Sequence, residues 1–268
     1  MSFLDEVIPE IRRSLEDSRY FSGLPARTSR RPTSLRRAIE RDRESGALIV
    51  EYKRVSPGQL EPELPSRRIP EFLELTRHAP VTAYSCLATE PRFRGAPQDV
   101  AELVQATERP VLFKDIVIDT RQVEAAARSG ASAILLIARL DQAGRPVESL
   151  SSLAEVAHRL GLEVLLEFHH RSELSRGADV AADVYGVNAR DLDTLTLDRA
   201  TGITTLREAR DRGLQPLLGL SGVENSADAR RFWDAGADGI LVGTAVARAP
   251  RPAEFLSSLL RDVSGGSG

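Results

Sequence analysis

The chain has 268 residues, close to the roughly 250 of an eight-fold β/α barrel, and a composition of 41% hydrophobic and 28% charged residues that excludes wholesale disorder. Its formal net charge of −3 argues against a nucleic-acid or membrane-surface partner, since either would need a basic excess or patch. One cysteine excludes an intrachain disulfide framework, and without a signal segment or a membrane-length apolar run we expect a cytoplasmic enzyme.

Two helical patterns, at 4–16 and 34–43, precede the first apolar run. A Pro- and Arg-rich stretch separates them, but no linker-like composition separates them from the rest of the chain. We therefore interpret residues 1–46 as an N-terminal helical extension packed on the main domain. The arginine-rich run at 27–37 is offset by acidic residues elsewhere, which favours a solvated or substrate-mouth role over nucleic-acid binding.

Eight short apolar runs follow, and most are continuous, as strands of a parallel sheet buried on both faces must be. Helical patterns lie between them; Asp119 and Ser226 are placed to cap two of these helices, and Gly130 and Gly236 to end them. Eight such units predict an α/β fold, a single (β/α)8 TIM barrel over 47–262, with a flexible tail at 263–268. The predicted strands are 47–51, 81–87, 110–114, 133–138, 163–168, 183–188, 216–221 and 239–244.

Polar side chains stand at the ends of these strands, where such barrels carry their active sites. Because side chains alternate along a strand, Glu51 and Lys53 point to the same side. Any one charged residue here could close the barrel top through a salt bridge, but five convergent polar groups favour a functional site. The set is Glu51, Lys53, Lys114, Glu167 and Asn188.

Small residues follow the last two strands, as Ser221-Gly222 and Gly243-Thr244. They let backbone N–H groups and a hydroxyl approach a phosphate, and the loops after strands seven and eight are the usual phosphate site of these barrels. A Gly-Thr pair also occurs in ordinary turns. It is the position of this pair after the last strand that favours a phosphate site.

The remaining metal and nucleophile candidates favour structural roles. His169 and His170 are adjacent, and neighbouring side chains of an extended chain point to opposite faces, so the two are not expected to bind one metal. Cys86 lies within an apolar run and is expected to be a small core residue. We predict no metal.

Six phrases, in order and spacing, resemble the indole-3-glycerol-phosphate synthase family of tryptophan biosynthesis. The resemblance covers the chain from the first strand to the last helix. The phrases are IVEYKRVSPG (49–58), RPVLFKDIVIDTRQVEAAARSGASAILLIARL (109–140), GLEVLLEFH (161–169), DVYGVNARDLDTL (183–195), LSGV (220–223) and AGADGILVGTAVARA (235–249).

The resemblance implies a carbon-carbon lyase (carboxy-lyase) acting on 1-(2-carboxyphenylamino)-1-deoxyribulose 5-phosphate. This chemistry closes the indole ring and releases carbon dioxide and water with no metal or organic cofactor. Lys114 matches the family's general acid, Lys53, Glu51 and Glu167 match acid and base positions, and Asn188 orients the substrate hydroxyls. We expect crowding by cations to lower the pKa of the acid lysine.

The resemblance also implies binding residues. Ser56, Gly222, Gly243 and Thr244, with Ser221 beside them, match phosphate-contacting positions, and Arg190 supports the mouth. Phe93 either lines a pocket for the anthranilate ring or packs its own loop. The expected partner is a small phosphorylated molecule, not a nucleic acid or a membrane. The sequence leaves the oligomeric state open and is compatible with a monomer.

The chain also departs from the family pattern. Leu220 replaces the glutamate that follows strand seven, and Ala88-Thr89 follows strand two where the family has Thr-Glu, with Glu90 one place on. These changes keep two alternatives open: a divergent or redesigned enzyme on the same barrel, or a non-catalytic phosphate-binding barrel. Retention of the acid and base residues argues for the synthase.

Overall fold

A computed structural model of the chain describes residues 2–26, 33–56, 63–65, 67–141 and 147–261. Eight parallel strands form a closed barrel in chain order, and the first strand pairs with the last. All eight predicted strands are confirmed, with ends shifted by two residues at most. The strands are β1 Ala47–Tyr52, β2 Ala83–Leu87, β3 Val111–Lys114, β4 Ala133–Ile137, β5 Glu163–Phe168, β6 Val184–Asn188, β7 Leu217–Leu220 and β8 Gly239–Val242.

Ten α-helices are described, and most of them alternate with the strands in an outer layer. Three 3-10 helices, Ser18–Phe21, Ala138–Asp141 and Arg171–Ala178, lie in connecting segments. The helices are α1 Phe3–Glu16, α2 Leu35–Asp42, α3 Ile69–Thr76, α4 Pro97–Ala106, α5 Thr120–Ser129, α6 Leu150–Arg159, α7 Arg199–Asp211, α8 Ser226–Asp234, α9 Thr244–Arg248 and α10 Pro252–Ser257.

The predicted helix ends hold in α5 and fail at one point in α8. The Asp119 side chain accepts from the backbone of Arg121, and Gly130 ends α5 in the left-handed conformation. The predicted Ser226 cap is wrong, because Asn225 precedes it and its side chain accepts from the backbone N–H of Asp228. Asn and Ser both favour the N-cap position, and Asn225, the residue just before the first helical residue, occupies it.

The strand register decides which side chains enter the barrel. A Cβ at Gly219 would strike the Phe232 ring of α8, so position 219 faces the helices and Leu220 faces inward. A Cβ at Gly186 would strike Leu220 from within the barrel. Paired residues share a face, so the polar residues at the ends of β1, β3, β5 and β6 all lie inside the same rim.

The N-terminal helices are held at opposite ends of the barrel. Helix α1 buries the apolar face that carries its Leu, Val and Ile side chains. Burying each of these side chains stabilises the fold by about 1.5–3 kcal/mol. The backbone of Phe3 donates to Asp193 beyond β6, while the cap of α2 is fixed to Glu163 at the start of β5. The boundary at residue 46 stays a prediction. The predicted tail at 263–268 lies outside the described residues.

A buried carboxylate ties this N-terminal segment to the strand that carries the candidate acid. Tyr20 donates to Asp115 Oδ2 at 3.2 Å, Gln122 donates to the same oxygen at 2.8 Å, and Thr89 donates to Oδ1. Burial raises the pKa of Asp115, although these donors oppose the rise. Asp115 thus anchors the segment that follows Lys114.

Within the described ranges, no helix is both long and apolar enough to cross a membrane. The same part of the chain contains no group of three or more histidine, cysteine or acidic residues suited to hold a metal ion.

Candidate active site

A buried carboxylate with two lysines lies at the carboxyl-terminal rim of the barrel. Glu51, on β1, is 4% exposed, and its Oε1 is 2.9 Å from Lys53 Nζ. Its Oε2 is 3.5 Å from Lys114 Nζ at the end of β3. Two ammonium groups therefore share one carboxylate, as the alternation of side chains predicts for residues 51 and 53.

A second carboxylate enters the same rim from β5. Glu167 is 1% exposed, and its Oε1 accepts from Asn188 Nδ2 at 3.2 Å. Its Oε2 makes no hydrogen bond to any residue in the described ranges. The Asn188 amide oxygen accepts in turn from the backbone N–H of Arg190 at 3.0 Å. This leaves one oxygen of Glu167 able to accept a proton.

The electrostatics of the rim separate donors from acceptors. Burial would raise the pKa of Glu51, but Lys53 and Lys114 outweigh it and hold that pKa at about 2. Burial likewise opposes ionisation of Glu167, yet His169, Lys114 and Asn188 lower its pKa. Both carboxylates are therefore ionised near neutral pH.

The expected fall in the pKa of the acid lysine is wrong. Burial alone would lower the pKa of Lys114, but the carboxylates of Glu51 and Glu167 outweigh burial and raise it. The sequence suggested crowding by cations, whereas the fold places Lys114 between two anions. Lys114 is therefore protonated near neutral pH and able to donate.

A cavity of about 600 Å³ opens beside this cluster. Its walls include Glu51 of β1 and Lys53 just after that strand, together with the loops that follow β6, β7 and β8. Seven predicted site residues line it. They are Glu51, Lys53, Arg190, Ser221, Gly222, Gly243 and Thr244.

The loops after β7 and β8 form the far wall of the cavity. Ser221 and Gly222 have positive φ angles of 63° and 79° in succession, and a non-glycine residue in this region costs about 1–3 kcal/mol. Ser56 and Thr244, at opposite ends of the chain, bring their hydroxyl oxygens to 3.0 Å of one another. Thr244 and the Ser221-Gly222 turn thus line the cavity, and buried Ser56 contacts Thr244 from behind the lining.

Two predicted residues have less direct positions. Arg190 lines the cavity, and its guanidinium donates to the backbone carbonyl of Leu195 at 2.8 Å. Phe93 packs edge to face against Phe3 of α1, with ring centroids 6.0 Å apart. The contact matches the loop-packing interpretation of Phe93, and its role toward an aromatic substrate stays a prediction.

Sequence reasoning missed a buried ion network behind Glu167. His169 Nε2 is 3.3 Å from Glu167 Oε1, and His169 Nδ1 is 3.7 Å from Glu173 Oε2. Arg139 binds Glu173 at 3.0 Å and Asp191 at 2.8 Å. The signal in the sequence is Glu173, an acidic residue four places after a histidine that directly follows a strand.

The structure also locates Leu220 and Glu90, two residues at which the chain differs from the family pattern. Leu220 is 1% exposed and points into the barrel, in register with Asn188. Glu90 is exposed and lies with Asp17 and Tyr20 at a separate crevice. Glu90 therefore does not stand in for the missing carboxylate at residue 220.

Chemically, the rim combines a proton donor, two ionised carboxylates and a hydroxyl-lined cavity within one opening. Such a set suits acid–base chemistry on a substrate held at its far end by hydrogen bonds.

The family model described as "Indole-3-glycerol phosphate synthase" matches residues 4–259. A protein of that name from Methanopyrus kandleri is 34% identical over 259 residues, covering 96% of this chain and 97% of the relative. Another, from Exiguobacterium sibiricum, is 35% identical over 216 residues and covers 80% of each chain. The alignment with the Methanopyrus kandleri protein spans nearly the whole chain.

Among solved structures, the chain is similar to a thiamine phosphate pyrophosphorylase from Pyrococcus furiosus. The TM-score is 0.58 at 16% identity, and the match covers 81% of this chain and 94% of that chain. At that identity the likeness supports the barrel fold alone.

Proposed function

The chain belongs to the indole-3-glycerol phosphate synthase family, and on this premise we propose that it performs the ring-closing step of tryptophan biosynthesis. The substrate is 1-(2-carboxyphenylamino)-1-deoxyribulose 5-phosphate, and the products are indole-3-glycerol phosphate, carbon dioxide and water. In class the enzyme is a carboxy-lyase that needs no metal or organic cofactor and works in the cytoplasm.

The observation that carries this proposal is the position of Lys114 between two ionised carboxylates at the rim. Ring closure joins the substituted aromatic carbon to the ribulose carbonyl carbon, and the carbonyl oxygen must gain a proton as the bond forms. Lys114 is held in its protonated form by Glu51 and Glu167. A general acid in this position typically contributes about 10²–10⁴-fold to the rate.

Decarboxylation and dehydration follow on the same intermediate. Loss of carbon dioxide leaves the bonding electrons in the ring system, and the new hydroxyl departs as water once it is protonated. Lys53, which is partly exposed and held at 2.9 Å by Glu51, is a second ammonium group that can supply this proton. Glu167 accepts the proton released as the indole forms, because one of its oxygens makes no hydrogen bond to the described residues. Asn188 orients the substrate hydroxyls.

The phosphate lies at the far wall of the cavity, against the loops after β7 and β8. Its ligands are the hydroxyls of Ser56 and Thr244 and backbone N–H groups near Ser221, Gly222 and Gly243. Support comes from the 3.0 Å approach of the two hydroxyls and from the cavity lining. Arg190, which lines the same cavity, adds a positive charge there, and Phe93 is the candidate contact for the anthranilate ring.

The direct test is a fluorescence assay for indole-3-glycerol phosphate, using purified protein and the anilino-deoxyribulose phosphate. We expect product from the natural chain and a loss of at least about 10²-fold with Lys114→Ala. No product from a folded natural chain would overturn the proposal and leave a divergent chemistry on the same barrel.

A further inference from the structure

One buried histidine has no part in the reaction described above, yet it contacts the proposed base. His169 is 2% exposed and follows Glu167 by two residues. Its Nε2 is 3.3 Å from Glu167 Oε1, an ion-pair distance without hydrogen-bond geometry, and Asn188 donates to the same oxygen. The other oxygen of Glu167 is buried and makes no hydrogen bond to the described residues.

The opposite edge of the imidazole meets a second buried acid. Glu173, in the 3-10 helix after β5, is 1% exposed, and its Oε2 accepts from the His169 backbone N–H at 2.7 Å. The same oxygen is 3.7 Å from His169 Nδ1. Arg139, after β4, holds the other oxygen of Glu173 at 3.0 Å.

Charges therefore alternate through the interior from Arg139 to Glu173, His169 and Glu167. Lys114 from β3 also acts on Glu167, and Arg139 is paired with two acids after β6, Asp191 at 2.8 Å and Asp193 at 2.9 Å. An imidazole between two buried carboxylates is favoured in its charged form, since each neighbour is negative. Burial opposes that charge, but the two glutamates outweigh it and raise the pKa of His169 to about 9.

We propose that His169 is a positioning residue that keeps Glu167 ionised and aimed at the substrate, with Glu173 and Arg139 fixing the imidazole from behind. The inference rests on the proposed function, because it assigns Glu167 the role of base. A carboxylate as buried as Glu167 takes up a proton easily unless a cation offsets its desolvation. The imidazolium supplies that cation without occupying the rim.

The first test is the pH profile of kcat/KM for His169→Gln, which keeps a hydrogen-bonding amide but removes the positive charge. We expect the acid limb to move to higher pH by about 1 to 3 units, the usual effect of one opposite charge at this distance. His158→Gln is the matched control, because that histidine is 38% exposed and pairs with Asp183 away from the rim. An unmoved acid limb in a folded His169→Gln would overturn the inference.

The second test needs no variant at residue 169. The chain has four histidines, so carbon-13 labelled imidazoles can be assigned from Gln variants at His78, His158 and His170. We expect the fourth signal to show a protonated ring at pH 7, and a neutral ring would refute the inference. Product formation by the natural chain is scored separately, so failure of the synthase reaction is distinguished from failure of this assignment.

Discussion

A substitution at Gly243 tests the geometry of the charged cluster without disturbing the stability of the barrel. The glycine has no side chain, and this leaves room for Glu51 and Lys53. A Cβ there would lie 2.8 Å from Glu51 Oε1 and 3.1 Å from Lys53 Cε. Its φ of −127° is outside the left-handed region that favours glycine, and the prediction for Gly243→Ala is drawn from the contacts of the added Cβ. Glu51 must then move by several tenths of an ångström.

That movement weakens the 2.9 Å pair between Glu51 and Lys53. Loss of one charged hydrogen bond costs about 1.5–3 kcal/mol, or roughly ten- to a hundredfold in rate. We expect Gly243→Ala to lower kcat by that factor in the fluorescence assay, with little change in the thermal midpoint.

Gly239 on the same strand is the matched control. A Cβ there would meet Leu218 at 2.7 Å and the Ala47 carbonyl at 2.9 Å, at the opposite end of the barrel interior. Overpacking costs about 1–3 kcal/mol of stability, so Gly239→Ala should lower the thermal midpoint by several degrees yet retain kcat. Natural kcat in Gly243→Ala, or an equal loss of kcat in both variants, would refute the reasoning.

Three further predictions follow from the site. Lys114→Ala should lower kcat by about 10²–10⁴-fold while its circular dichroism spectrum stays natural, and near-natural turnover would remove Lys114 from the mechanism. Inorganic phosphate should compete with substrate, and Thr244→Val should raise the inhibition constant; an unchanged constant would argue against the phosphate site. The pKa of Glu173 is lowered to about 2, because its charged partners outweigh burial. Its contribution to stability is therefore full above the unfolded value near 4.3 and lost as the pH falls through about 2, so Glu173→Gln should flatten the dependence of the thermal midpoint on acid pH.

The barrel could be predicted because parallel strands buried on both faces leave an unbroken apolar signal. The positions of Glu51, Lys114, Glu167 and Asn188 at one rim follow from the same pattern, since parallel strands in a barrel end at one face. Strand ends are less certain, as the two-residue shift at the start of β2 illustrates.

What the sequence could not give depends on distances between separate elements. The pKa of Lys114 shifts in the opposite direction from the expected one, because the charges that act on it most strongly, Glu51 on β1 and Glu167 on β5, are both negative. The Glu173 contact to His169 requires the 3-10 helix after β5 to turn back over the strand end. Neither the pKa shift of Lys114 nor the contact between Glu173 and His169 can be predicted from neighbouring residues in the sequence, because both depend on contacts between separate elements at the rim.

The substitution at residue 220 allows a decisive test of whether the site still accommodates a third carboxylate. Leu220 is buried, and its side chain fills the space beside Gly186, where a Cβ would meet Leu220 Cδ1 at 2.8 Å and Leu165 at 3.2 Å. The nearest polar neighbour in register is Asn188, which already binds Glu167.

We therefore expect Leu220→Glu to lower both the free energy of unfolding and kcat/KM, because an unpaired carboxylate in apolar surroundings is costly. Leu220→Gln has the same shape without the charge and should lose less of each, whereas Leu220→Met should lose less than about 1.5 kcal/mol of stability. The measurements are chemical unfolding and the fluorescence assay on all three variants. A gain in kcat/KM with Leu220→Glu alone would mean that the rim retains a partner for the charge, with Arg190 the available cation at the cavity wall, and the argument that the interior has been repacked around leucine would be wrong.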